Sequence, residues 1–388
     1  MNEHQVVVVG AGPSGIAVAL ALKDAGVRPL VLDKAEQVAA SWRGRYERLR
    51  LNTWRPFSHL PDRRFPKGTP TFPTRDQLIE HLDRHAREDG IELRLGTRVD
   101  RIDRSDGGWR LGTSAGPLDA RQVVVATGYE NAPFVPEWPG RDSFHGELLH
   151  SSRYMNAEPF RDRRVLVVGP GCSGMEIAYD LAEGGAGKVW LSARTPPNIV
   201  LRQGGAGIPG DLIAVTLLRA PVRFGDAFGR FGRRVDIGDL TEYGLPVPEE
   251  GIFTRLRRFG VAPAIVDKEV IEAIKARRIE IVRGVESLYS SGVELADGGR
   301  IEPDAIISAT GYRRGLEPLV GRLGVLDSRG IPRALAEQPA APGLRFVGYV
   351  PRPGGLGYMA KEAKRAARAI ARELPALSPR EEATAAAG

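Results

Sequence analysis

The 388-residue chain is 42% hydrophobic and carries a formal net charge of +7, the balance of a globular protein long enough for two domains. Its arginines are scattered without a basic block, which argues against a nucleic-acid partner, and no apolar stretch approaches the ~18 residues of a membrane span. One cysteine excludes a disulfide framework, a cysteine-rich metal centre and the CxxC pair of a thiol-disulfide reductase. Residues 1–4 lack a basic-then-apolar leader, so a cytoplasmic enzyme without stable membrane insertion is expected.

The first predicted element is a strand at Val6–Val9, a short β-branched run of the kind buried on both faces of a parallel sheet. It leads into Gly10-Ala11-Gly12-Pro13-Ser14-Gly15 and an apolar helical stretch, Ile16–Leu22. In such a loop the first glycine permits a tight turn, the second lets the backbone approach a pyrophosphate, and the third lets the helix pack on the strand. The helix N-terminus then offers free N–H groups to phosphate. The next strand, Pro29–Leu32, ends at Asp33-Lys34, where a carboxylate can accept hydrogen bonds from ribose hydroxyls; this suits an adenosine without a 2′-phosphate, and hence FAD. Trp42 and Arg43 are expected to contact this nucleotide by stacking and by charge, with plain packing as the alternative.

A helix is predicted over Arg75–Glu88; its His81 and His85 lack a third ligand and read as surface histidines. Ile91–Gly96, an alternating stretch through Trp109 and Leu111, and Val123–Tyr129 complete the first segment. Val99, Ala126, Thr127 and Gly128 are the further expected cofactor contacts in it.

The same grammar returns at Val165–Val168, followed by Gly169-Pro170-Gly171-Cys172-Ser173-Gly174 and the apolar stretch Met175–Leu181. Here the second strand, Val189–Ser192, runs on to Arg194. A guanidinium there can pair with a 2′-phosphate through two parallel hydrogen bonds, so the second nucleotide reads as NADPH; a solvated surface arginine is the alternative. Cys172 occupies a loop position that needs a small side chain, which makes it a packing residue.

The order of elements after each loop is duplicated. Ile279–Gly284, a hairpin at Val293–Gly298 and Ile306–Tyr312 repeat the earlier series, with Ala309-Thr310-Gly311-Tyr312 matching Ala126-Thr127-Gly128-Tyr129. Each half is therefore expected to be a Rossmann-type sheet with an antiparallel insertion. The interval is longer in the second half by roughly 24 residues, within a helical insertion near 202–258. Its segment Leu212–Leu218 reads as a pocket wall, a core helix or a membrane-surface helix, and Arg202, Arg219, Arg223, Arg230, Arg233 and Arg234 either select an acidic substrate or are solvated.

A last strand over Leu344–Val350 and a helix over Gly357–Arg372 are expected to return to the first domain, bringing Gly348 near the first nucleotide. The predicted class is α/β, with two Rossmann-type dinucleotide-binding domains and the NADPH domain inserted into a discontinuous FAD domain. The expected division is 1–160 and 313–374 for the FAD domain, 161–312 for the NADPH domain, and 375–388 for a mobile tail.

Between the halves, Phe144-His145-Gly146-Glu147-Leu148-Leu149-His150-Ser151-Ser152-Arg153-Tyr154 resembles the FxGxxxHxxxY fingerprint of the class B flavin-dependent monooxygenases. The stretches Ser41–Leu49, His59–Pro61, Phe72–Arg75, Val165–Glu176, Leu240–Leu245 and Ala309–Arg313 are similar to the YUCCA-type members. The resemblance implies hydride transfer from NADPH to FAD, reaction with O₂ to form a C4a-(hydro)peroxyflavin, and insertion of one oxygen atom into a small organic substrate. N-oxygenation, S-oxygenation and oxidative decarboxylation of an arylpyruvate all remain open. So do a Baeyer–Villiger oxygenase, an oxidase releasing H₂O₂, and a homodimer.

The resemblance also places Asn52 where many family members carry an asparagine beside the flavin, making it the candidate catalytic residue; a turn before Pro56 is the alternative. It gives His150 and Tyr154 a conformational or NADP-positioning part rather than a proton-transfer one.

Overall fold

A computed structural model describes residues 3–350 and 352–374; the expected tail at 375–388 lies outside them. Strand β1 (Glu3–Val9) is the centre of the first sheet, and its valines 6–9 are no more than 5% exposed. Helix α1 (Pro13–Asp24) leads to β2 (Pro29–Leu32), which pairs parallel with β1. After the short α2 (Ala40–Arg43) comes α3 (Arg75–Glu88), closed by a capping box in which Thr74 and Gln77 each bond the other's backbone N–H.

Strand β3 (Glu92–Arg94) joins β2, and β4 (Val99–Ser105), β5 (Gly108–Thr113) and β6 (Gly116–Val125) form an antiparallel meander. β6 also pairs parallel with β1, so the sheet order is β3-β2-β1-β6-β5-β4. Alternation places Ile102, Trp109 and Leu111 on one buried face, where the Trp109 indole donates to the Pro342 carbonyl at 3.0 Å.

His81 is not at the surface. It is 2% exposed and stacked on Phe65 at 4.3 Å between ring centres, because the α3 face carrying it packs toward the first core. Burial, with the nearby His85 and Arg84, pushes its pKa down to about 4. Among the described residues no group of three or more acidic, histidine or cysteine side chains can hold a metal.

The two-residue β7 (Ala132–Pro133) precedes β8 (Glu147–His150), which pairs parallel with a strand of the second sheet. The chain thus enters the second sheet by residue 147, and the expected division near 160 falls too late. Leu149, 5% exposed, is buried there with the second core.

That sheet continues with β9 (Arg164–Val168), α4 (Cys172–Glu183) and β10 (Lys188–Ser192). The insertion follows as β11 (Ile199–Leu201), α5 (Gly210–Leu217), α6 (Val222–Asp236), α7 (Ile252–Phe259) and β12 (Ala264–Val266), with β11 and β12 paired as a parallel ribbon. Helix α8 (Lys268–Lys275) and β13 (Glu280–Val282) return to the sheet. An antiparallel trio, β14 (Val285–Tyr289), β15 (Gly292–Leu295) and β16 (Arg300–Ile301), precedes β17 (Ala305–Ser308). The sheet order is β13-β10-β9-β17-β8, parallel throughout.

Strand β18 (Tyr312–Arg313) pairs with β7 on the connection between the sheets, and α9 (Glu317–Val320) packs on β4. Then β19 (Leu344–Phe346) pairs with β6 and α10 (Gly355–Glu373) packs along α1. The last strand is shorter than its apolar run to Val350, because Gly348 at φ +82° turns the chain over the start of α1. Two sheets, each with a β-strand, glycine loop and helix at its centre, make this a two-dinucleotide-domain α/β fold.

Candidate active site

The two glycine loops are superimposable in their logic. Gly10 and Gly169 have φ +111° and +112°, and a Cβ on them would stand 2.7 and 2.5 Å from the carbonyl oxygens of Ala126 and Ala309. Gly15 and Gly174 lie so close to the Gly10 and Gly169 carbonyls that a Cβ would overlap them. Between these, Gly12 and Gly171 face open space with nothing within 4 Å of an added Cβ. Each is the N-cap of its helix and makes no side-chain cap bond. Unfilled space and uncapped amides at a helix N-terminus form a cradle for an anion. The repeated Ala-Thr-Gly stretch is the floor of both cradles, with Gly128 and Gly311 at φ +80° and +86°.

Around the first loop, Asp33 is spent partly on the loop itself. Its Oδ2 accepts from the Ala11 N–H at 2.6 Å and its Oδ1 from the Ala35 N–H at 2.8 Å. Lys34 is exposed beside it. Pro13 is the first residue of α1, its fixed φ suited to that position. The buried Ser14 hydroxyl donates to the Met359 sulfur at 2.9 Å, and Gly348 lies against it without room for a Cβ. The Thr127 hydroxyl meets the buried Tyr349 hydroxyl at 2.7 Å. Trp42 is half-buried against the first core, and the Ala39 N–H ties its segment to the Ala11 carbonyl at 3.0 Å. Arg43 is engaged by the Asp83 carboxylate and the Val38 carbonyl. Val99 opens β4, two residues after Thr97, whose N–H bonds the Asp33 carbonyl at 2.8 Å.

Around the second loop, the Cys172 thiol contacts the Pro263 carbonyl at 3.7 Å and receives the Ile265 N–H at 3.2 Å, while burial pushes its pKa up to about 11. It is a packed thiol, with Ser173 beside it in the first turn of α4. The Ser192 hydroxyl donates to the Arg283 carbonyl at 2.8 Å. Arg194, just beyond β10, is exposed and makes no hydrogen bond or ion pair among the described residues. Thr310 bonds Ser308 and the Phe134 carbonyl, and the Gly311 carbonyl accepts from His150 Nε2 at 3.0 Å. His150 Nδ1 accepts from the Ser152 N–H at 3.1 Å, so both ring nitrogens are engaged; burial also lowers its pKa. The Tyr154 hydroxyl donates to Asp180 at 2.7 Å from a fully buried ring. The His150 bond thus reaches the segment that leads into β18, while the Tyr154 bond lies within the second half of the molecule.

Asn52 is held by a buried network that crosses from one half of the molecule to the other. Its Oδ1 accepts from Arg202 at 3.2 Å, leaving its Nδ2 without a partner among the described residues. Arg202, 2% exposed, is ion-paired to Glu176 of α4 and to Asp267 at the start of α8. Glu176 also accepts from the Tyr46 hydroxyl at 2.6 Å. Burial opposes the Arg202 charge, but Glu176 and Asp267 more than offset it and hold the guanidinium protonated. Burial pushes the Glu176 carboxyl up against the pull of Arg202.

From the sequence, Arg202 and Arg233 are expected to be solvated or substrate-selecting. Arg202 and Arg233 are both buried, the latter donating to the Pro197 and Leu245 carbonyls. One signal for the network was legible: Glu176 is a lone carboxylate in the apolar run Met175–Ala178. Nearby, buried Asp211 of α5 accepts the Trp54 N–H at 2.7 Å, and Val215 of the same helix lies beside Gly354. The segment 212–218 therefore stands against the Asn52–Trp54 stretch and the start of α10.

The chain is similar to proteins of known kind in sequence and in fold. A family profile described as pyridine nucleotide-disulphide oxidoreductase matches residues 7–198. Indole-3-pyruvate monooxygenase YUCCA1 of Oryza sativa subsp. japonica is 36% identical over 328 residues, covering 83% of this chain and 80% of that one. In solved structures, the flavin-containing monooxygenase of Stenotrophomonas maltophilia superposes with a TM-score of 0.73 at 21% identity, over 96% of this chain and 99% of its own. The bacillithiol disulfide reductase of Bacillus cereus superposes with a TM-score of 0.70 at 18% identity, over 96% of this chain and all of its own. The fold is thus common to oxygenases and disulfide reductases, and sequence identity separates them. By that identity the chain is a member of the YUCCA-type family of flavin-dependent monooxygenases.

Proposed function

We propose that this enzyme holds FAD on the first loop and NADPH on the second, and uses NADPH and O₂ to place one oxygen atom in a small organic substrate. The observation that carries the reading is the pair of cradles open at Gly12 and Gly171, where even a methyl group is absent. Both fit a pyrophosphate. When bound, FAD supplies the electron-accepting, oxygen-activating ring and NADPH the hydride. In this reading the NADPH domain is inserted into the FAD domain, with β19 and α10 completing the latter.

Asp33 holds the first loop through Ala11 while keeping acceptor lone pairs for a ribose. Arg194, without a partner among the described residues, is the group for a 2′-phosphate. Asn52, with its oxygen occupied by Arg202, would present only its N–H groups to a bound flavin. The apolar side chains of α5, which stand against the Trp54 segment, would help to exclude water there. Arylpyruvates are the first substrates to test, since relatives are named indole-3-pyruvate monooxygenases; amines and sulfides are the competing classes. A cytoplasmic location belongs to the same proposal; no described helix is long and apolar enough to cross a membrane.

The test is product mass after incubating the FAD-loaded enzyme with NADPH, ¹⁸O₂ and a panel of arylpyruvates, amines and sulfides. One labelled oxygen per product, with NADPH oxidation accelerated or coupled by that substrate, is the expected result. Stoichiometric H₂O₂ with no label in any product overturns the proposal in favour of an oxidase.

A further inference from the structure

Helix α6 is docked by its small and polar side and carries its hydrophobic side outward. A Cβ on Gly225 would meet the Phe253 ring at 2.7 Å and one on Gly229 would meet Ile252 at 2.9 Å, so α6 approaches α7 through glycine. Buried Asp226 accepts the Phe253 N–H at 2.7 Å, and buried Arg233 donates to the Pro197 and Leu245 carbonyls. These bonds fix which side faces in. Outside stand Phe224, Phe228, Phe231 and Val235, exposed by 59, 41, 65 and 66%. An ordinary surface helix is arranged the other way round.

The remaining exposed residues of α6 are Arg223, Arg230, Arg234 and Ala227; its two aspartates are not exposed. At 3.6 residues per turn the four apolar side chains share one stripe and the three arginines a second, about 110° round the helix. Phe259, the last residue of α7, and Val261, just past it, are further exposed apolar side chains. We infer that this face is a peripheral docking surface for an anionic lipid bilayer, with the phenylalanines in the interfacial region and the arginines on lipid phosphates. A second copy of the chain answers the observations less well. Of the helix's two carboxylates Asp226 is buried and Asp236 half-buried beside Gly204 and Gly205, so a second copy's arginines would find no exposed carboxylate on it. An anionic membrane satisfies both stripes at once.

The test is flotation of the FAD-loaded full-length enzyme with vesicles of phosphatidylcholine alone or mixed equally with phosphatidylglycerol. The enzyme is expected to float with the mixed vesicles only, and to be released by salt. A Phe224→Ser/Phe228→Ser/Phe231→Ser variant should stay at the bottom. Changing Arg223, Arg230 and Arg234 to Gln should weaken partitioning roughly 100-fold, at about 1 kcal/mol for each arginine near the surface. Both variants should oxidise NADPH in vesicle-free buffer at the parent rate, which shows that they fold. The inference is overturned if the enzyme floats with neither vesicle, or with both equally. It is equally overturned if sedimentation velocity shows a dimer that the phenylalanine variant converts to monomer.

Discussion

Glycines that look alike in sequence differ in what surrounds them, and this separates ligand contact from packing. Gly12 has room for a methyl group within the protein, whereas Gly15 has none. Gly12→Ala is therefore expected to leave the thermal midpoint of the FAD-free protein within about 2 °C while weakening FAD binding at least 10-fold. Gly15→Ala should lower that midpoint or prevent folding, since overpacking costs about 1–3 kcal/mol or more. Calorimetry and flavin fluorescence on the same samples distinguish the two. His81 gives a second residue-scale test. Its folded pKa near 4 lies below the unfolded value of 6.5, so between these values the unfolded state binds the extra proton. Stability conferred by the neutral ring is complete above pH 6.5 and is lost as pH falls toward 4, by on the order of 2 kcal/mol. His81→Phe should flatten this part of the stability curve in urea titrations at pH 7.5 and pH 5; an unchanged slope would place the pH dependence elsewhere.

At the scale of elements, the proposed choice of nucleotide rests on the ends of two strands. β2 ends at a carboxylate already tied to its own loop, and β10 leads to a guanidinium with no partner among the described residues. Arg194→Gln is expected to raise KM for NADPH about 10-fold and leave KM for NADH nearly unchanged, as read from steady-state flavin reduction. Equal effects on both would assign Arg194 to another role. The two strand–loop–helix units were legible in the sequence because each depends on local pattern: a β-branched run, three glycines at fixed spacing and an apolar helix after them. The repeated Ala-Thr-Gly was visible too, though not its part as the floor under Gly10 and Gly169. What stayed hidden depends on contacts distant in sequence. The membership of β8 in the second sheet is set by pairing with β17, and the burial of His81 by Phe65. No periodicity marks either partner.

Across the whole molecule, Tyr46 and Asn52 from the first half meet Glu176, Arg202 and Asp267 from the second in one buried charge network. Such a network is costly to break, because removing Arg202 leaves Glu176 buried without its cation. Arg202→Met should destabilise the protein by about 3–5 kcal/mol, and adding Glu176→Gln should recover part of that loss. If Arg202 also orients the Asn52 amide, the two residues act as one in catalysis. Asn52→Ala is expected to raise the H₂O₂ released per NADPH oxidised. Arg202→Met should raise it too, through a freed amide that no longer presents only its N–H groups. In the double variant the second change should then add little, giving a coupling energy of at least ~1 kcal/mol when rates are compared in a cycle. Purely additive effects would mean that Arg202 holds the two halves together without positioning Asn52. Conversely, Arg202→Lys keeps the charge but lacks the planar fork that reaches Glu176, Asp267 and Asn52 together. It should restore stability more fully than coupling, so the fraction of NADPH lost to H₂O₂ stays high in a protein that melts near the parent temperature.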